Sequence, residues 1–181
     1  DVAQATCLIQ PLTSLLGMQE HPIIDWRFIA WINQHNVYGY DLGRDRLLHT
    51  SDDMGVFLID NLTYASEVTI DYPYIGWIGF AEDSRVYLCD LRQNGISGGC
   101  LSGDTKYTVT NYTSLKSNLF IHDRHIVWQD YLGGNWDIVL CDLRRNGLKG
   151  GCLADDSKTF ITRDPADQAA PSVDGRWIVW E

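Results

Sequence analysis

Apolar and polar positions alternate with a period of two in three short stretches of this chain, and the stretches look alike. They are Asn36-Val37-Tyr38-Gly39-Tyr40-Asp41-Leu42, Arg85-Val86-Tyr87-Leu88-Cys89-Asp90-Leu91 and Asp137-Ile138-Val139-Leu140-Cys141-Asp142-Leu143, and each reads as a strand. An apolar stretch ending on Trp precedes each of them: Ile24 to Trp31, Ile70 to Trp77 and Ile121 to Trp128, with a fourth copy from Val173 to Trp180. These tryptophans are 46, 51 and 52 residues apart. A further element ends 18 residues before each Trp, at Thr13, Ile59, Thr110 and Thr162, within Gln10 to Thr13, Val56 to Ile59, Tyr107 to Thr110 and Thr159 to Thr162.

A four-stranded antiparallel unit of roughly 40 to 50 residues cannot bury both of its faces alone, and stacking such units is how a β-propeller is built. The pattern therefore predicts an all-β fold, a β-propeller of four-stranded antiparallel blades with three complete blades plus partial blades at both ends. The expected segments are 1–20 (end of a preceding blade), 21–60, 61–112 and 113–164 (one blade each) and 165–181 (start of the next). The Trp positions are expected in the dry layer between blades. An incomplete ring would leave sheet edges open, so the chain is expected to belong to a larger propeller or to complete one with another copy.

These motifs resemble the TolB-like β-propeller repeats. The resemblance lies in Pro171-Ser172-Val173-Asp174-Gly175-Arg176-Trp177-Ile178-Val179-Trp180, in Trp128-Gln129-Asp130 leading to Gly134-Asn135-Trp136-Asp137-Ile138, and in Tyr40-Asp41-Leu42-Gly43 before Leu47-Leu48. It covers nearly the whole chain. The first repeat departs most, with Trp26 where a turn Gly is usual and a shortened connection after it. TolB-like propellers are mainly envelope and surface interaction modules, so the resemblance implies a non-catalytic binding or scaffold module with a protein or glycan partner.

Composition narrows the picture further. The chain has 181 residues, 45% hydrophobic and 21% charged, which is a globular composition. Its acidic residues are 20 Asp and 4 Glu, and Asp favours turns where Glu favours helix interiors. Helix is expected to be scarce. A formal net charge of −10 repels the phosphate backbone that dominates nucleic-acid affinity, which excludes nucleic acid as the expected partner. No apolar run reaches the roughly 18 residues of a membrane span.

The five cysteines follow the repeat. Cys89 and Cys100 flank ten residues, Cys141 and Cys152 flank ten equivalent ones, and in the first repeat Tyr40 and His49 replace both members together. Paired loss is what mutual bonding predicts, so the expected bridges are Cys89–Cys100 and Cys141–Cys152, with the partner of Cys7 outside the chain. Metal ligation is the alternative, although it usually uses closer pairs such as C-x2-C. Disulfides imply an extracellular, periplasmic or cell-surface location. The sequons at Asn61 and Asn111 follow equivalent strands and are candidate glycosylation sites.

Candidate chemistry is sparse. Gly95-Ile96-Ser97-Gly98-Gly99 matches G-x-S-x-G, but the repeat puts it in a hairpin loop where a nucleophile elbow needs a strand-to-helix turn. His122 and His125 could be ligands or a base, yet they occupy turn and strand-start positions held elsewhere by Asp, Phe, Tyr and Trp. Asp130, Asn135 and Asp137 offer oxygens for a Ca²⁺, while the same residues suit a capped turn. Asp155 and Asp156, echoed by Asp52 and Asp53, read as solvated surface, and no cofactor is indicated. Two other functions stay open: the propeller part of a secreted polysaccharide lyase or peptidase with its catalytic residues elsewhere, or a self-assembling homo-oligomeric surface or filament subunit.

Overall fold

Tight two-residue turns organise the chain. Gln34 and His35 both take left-handed backbone (φ 49° and 66°), as do Asp123 and Arg124 (45° and 64°) and Gly133 and Gly134 (70° and 108°). Turns of this hand match the twist of the strands they join. The computed structural model describes residues 11–61, 63–80, 83–93, 99–101, 106–153 and 158–181.

Among them are three four-stranded antiparallel sheets and one hairpin. The first sheet is β1 (Gln19–Asp25), β2 (Phe28–Asn33), β3 (Asn36–Asp41) and β4 (Gly55–Asp60); the second is β5 (Tyr64–Asp71), β6 (Tyr74–Phe80), β7 (Ser84–Asp90) and β8 (Lys106–Thr108). The third is β9 (Leu115–His122), β10 (His125–Leu132), β11 (Asn135–Asp142) and β12 (Lys158–Phe160), and the hairpin is β13 (Ser172–Asp174) with β14 (Trp177–Val179). Every sheet is a simple meander in chain order. The first strands β1, β5, β9 and β13 lie next to one another, so each sheet packs against the next.

Two expectations need correction. Residues 11–13, expected at the end of a strand, form none: Pro11 has no N–H to donate, and the Thr13 hydroxyl accepts from the Leu15 N–H (3.0 Å) in a local turn. The connection after β11 is a helix, α1 (Leu143–Gly150), interrupted at Gly147 (φ 67°). Asp142 caps it by accepting from the Arg144 N–H.

Two of the buried tryptophans sit between sheets. Trp77 packs with Phe28, Ile32, Phe57 and Ile59 of the first sheet, and Trp128 packs with Ile78, Val86, Leu88 and Tyr107 of the second. Trp31 is covered by Leu12 and Leu15. Trp180 remains 44% exposed.

Three hydrogen-bonded devices recur. At the end of each third strand an Asp accepts the N–H two residues on: Gly43 to Asp41 (2.9 Å), Arg92 to Asp90 (3.0 Å) and Arg144 to Asp142 (3.0 Å). The intervening Leu N–H of Leu42, Leu91 and Leu143 donates to the carbonyl of Arg27, Pro73 and Arg124 in the adjacent turn. In the second and third sheets a Thr hydroxyl extends the last ladder, accepting from Val86 N–H at Thr110 (3.0 Å) and from Ile138 N–H at Thr162 (2.8 Å).

Disulfides Cys89–Cys100 and Cys141–Cys152 are present, each with Cα atoms 5.8 Å apart. Cys7 lies outside the described residues. Each loop also reaches back to the preceding sheet, where the N–H of Cys100 donates to Ile59 O and that of Cys152 to Val109 O, both at 2.9 Å. Glycine permits this approach: a Cβ on Gly99 would clash with Leu58 O at 2.2 Å, and one on Gly151 would crowd Thr108 O at 3.1 Å. Two disulfides point to an oxidising, extracellular environment. No helix among the described residues is long and apolar enough to cross a membrane.

Candidate functional site: a polar cleft between sheets

The turns β5–β6 and β9–β10 bound a cleft of about 430 Å³ lined by Asp71, Tyr72, Arg92, His122, Asp123 and Arg124 among others. A repeated clamp shapes it. Asp25 accepts from the Tyr72 N–H across the first seam (2.7 Å), and Asp71 accepts from the Asp123 N–H across the second (2.6 Å). At the third, His122 takes the place of the carboxylate and its Nε2 lies 3.4 Å from Asp174.

Arg92 forks onto Asp90 with Nε at 3.0 Å and Nη2 at 2.8 Å, and also donates to the Tyr74 hydroxyl (2.9 Å). Burial raises the Asp90 carboxyl, but the bonds from Arg92 outweigh it and hold it below the usual range. In Asp71 burial wins over the Asp123 N–H bond, and its carboxyl is pushed up. The cleft thus combines guanidinium and imidazole donors with carboxylate acceptors beside a tyrosine ring. That is binding chemistry of both signs.

Trp26 stands at the neighbouring β1–β2 turn. It holds φ 53°, is 57% exposed, and its ring lies 6.2 Å from that of Tyr72, which itself stacks on Phe28 at 4.4 Å. The equivalent turn of the last hairpin has Gly175 at φ 57°.

A second polar network occupies the other end of the same seam. Lys116 on β9, 4% exposed, donates to Ser84 O (3.0 Å), Ser114 O (3.1 Å), Tyr112 O (3.2 Å) and the Ser114 hydroxyl (2.8 Å). Asp130 accepts from the Ser114 and Tyr112 hydroxyls and from Trp128 Nε1 (2.9 Å). Burial lowers the Lys116 ammonium to about 8 despite the attraction of Asp130. In the second sheet Trp77 Nε1 instead donates to Thr63 (2.9 Å), whose hydroxyl donates to Asp60 (2.6 Å).

The remaining predicted residues are dispersed. Asn135 donates to Asp164 O (2.8 Å), Asp137 accepts from Thr162 (3.1 Å), and Asp130 is engaged as above, so the trio forms hydrogen-bonded turns and ladders. His125 is buried against Arg144, 3.8 Å from Asp142. Asn61 and Asn111 are exposed. Among the described residues the one grouping with metal-ligand spacing is Asp45, Asp52 and Asp53; it is occupied by the N–H groups of Arg44 and His49 and by the hydroxyls of Thr50 and Tyr40. Ser97, Asp155 and Asp156 lie outside the described residues.

Sequence reasoning did not single out Lys116, Arg92 or the Asp clamps. The repeated Asp-Leu-Arg at 90–92 and 142–144, and a lone Lys between strand-forming residues, were the available signals. No family model matches the chain, and no curated protein matches it.

Proposed function

We propose that the chain is a run of β-propeller blades, arranged around an axis lined by β1, β5, β9 and β13, in an extracellular or cell-surface module that binds a protein or glycan partner without catalysis. One observation carries this reading. The framework contacts repeat from sheet to sheet, whereas the tips of equivalent turns differ: Trp26-Arg27, Tyr72-Pro73, Asp123-Arg124 and Gly175-Arg176. A rigid frame with changing tips is how loops come to carry recognition. The resemblance to TolB-like repeats and the two disulfides support the same reading.

Combining Trp26→Gly, Asp123→Asn, Arg124→Gly and Arg176→Ser tests it, because these replacements suit the backbone of each turn, with positive φ at Trp26, Asp123, Arg124 and Gly175. The oxidised variant should fold and lose ligands that the parent retains on an array of oligosaccharides and surface-protein ectodomains. Turnover of an arrayed polysaccharide or peptide by the parent would overturn the non-catalytic reading.

A further inference from the structure

Trp26 sits at positive φ, a costly conformation that a bulky side chain rarely adopts, and it is more than half exposed, so little burial offsets that cost. Gly175 occupies the corresponding turn of the last hairpin without that cost. Among the described non-glycine residues with positive φ, Trp26 alone carries a large apolar ring, and it holds that ring out to solvent.

What lies beside Trp26 defines the ligand. Tyr72 belongs both to the surroundings of Trp26 and to the polar cleft: its ring lies 6.2 Å from that of Trp26, and it is among the residues that line the cleft. Beyond it the cleft presents Asp71 and Asp123 as acceptors and Arg92, Arg124 and His122 as donors. Aromatic rings stack on the C–H face of a pyranose, and its hydroxyls each donate and accept, matching a lining of mixed sign. A polyanion suits the site poorly, since the carboxylates there and the net charge of −10 repel it. A purely apolar ligand would displace water from the cleft's charged groups and return no hydrogen bonds.

We infer that Trp26, Tyr72 and the adjoining Asp71–Arg124 cleft form a carbohydrate subsite for a neutral pyranose unit of an oligosaccharide. This rests on the binding-module reading above and names its ligand class. Direct contacts come from Trp26 and Arg124, which both occupy turn tips.

The probes are glucose-, mannose-, galactose- and N-acetylglucosamine-based hexasaccharides, with a hexauronate as the acidic counterpart, titrated calorimetrically into the oxidised chain. At least one neutral hexasaccharide should bind more tightly than the hexauronate. Trp26→Gly and Arg124→Gly, both suited to positive φ, should each weaken it about tenfold with melting temperature preserved. Tyr131→Ala, at the opposite end of β10, is expected to leave the affinity unchanged. Absence of neutral binding at millimolar concentration, preference for the hexauronate, or binding indifferent to both glycine variants overturns the subsite. The last outcome spares the module reading, because a glycan then binds elsewhere, and a protein ligand found only with the ectodomain array spares it too.

Discussion

Single side chains hold the seams, and their cost can be measured. Gly99 and Gly133 both have positive φ, but a Cβ on Gly133 meets nothing within 4 Å while one on Gly99 strikes Leu58 O. Gly133→Ala should therefore cost about 1 kcal/mol, and Gly99→Ala clearly more, about 3 kcal/mol or above, in urea denaturation of the oxidised protein. Lys116 makes a prediction in pH. Its ammonium titrates at about 8 when folded against 10.5 ordinarily, so between those values the unfolded chain holds a proton that the folded chain has lost. Stability conferred through this group thus rises with pH from about 8 to 10.5, by on the order of 2 to 3 kcal/mol. Lys116→Met should abolish that rise when urea midpoints are compared across the window.

At the scale of elements, the disulfide loop serves two sheets at once. It closes the connection between the third and fourth strands of its own sheet, and its Cys N–H bonds the sheet before. Cys100→Ser should cost about 3 kcal/mol and raise amide exchange at position 100 and across the first seam more than within β6. Reduction of the pair of bridges should add four hydrogens to the mass.

The strands were legible in the sequence because alternation and repetition encode the buried face directly, and Trp77 and Trp128 lie between sheets as their spacing foretold, whereas Trp31 is covered by Leu12 and Leu15 and Trp180 is 44% exposed. The turn after Asp142 was not, since a short helix broken at Gly147 has too few residues to show a period. The cleft was hidden for a different reason. Asp71, His122 and Arg124 come from turns some fifty residues apart, and alternation within a strand carries no information about which turn faces which. Only the recurrence of Asp25, Asp71 and Asp174 at equivalent positions hinted at a shared role.

Across the whole molecule, contacts run between neighbouring sheets, from β1 to β5, β5 to β9 and β9 to β13. Stability of such an array is a sum of unit and nearest-neighbour terms. Ile59→Ala, which hollows the first seam, should hence accelerate hydrogen exchange in the first two sheets while β10 and β11 keep most of their protection. Uniform acceleration throughout would show the array to be one cooperative block.

The covalent closure of residues 89–100 and 141–152 also limits how far the chain can be drawn out. The bonded cysteines lie eleven positions apart along the chain, with ten residues between them, and their Cα atoms stay 5.8 Å apart, so each bridge withholds about 30 Å of extension from a stretched chain. Pulled from its ends, the oxidised molecule should yield in steps that fall short of its full contour. The missing length should return, one increment per bond, when a reductant reaches the opened loops.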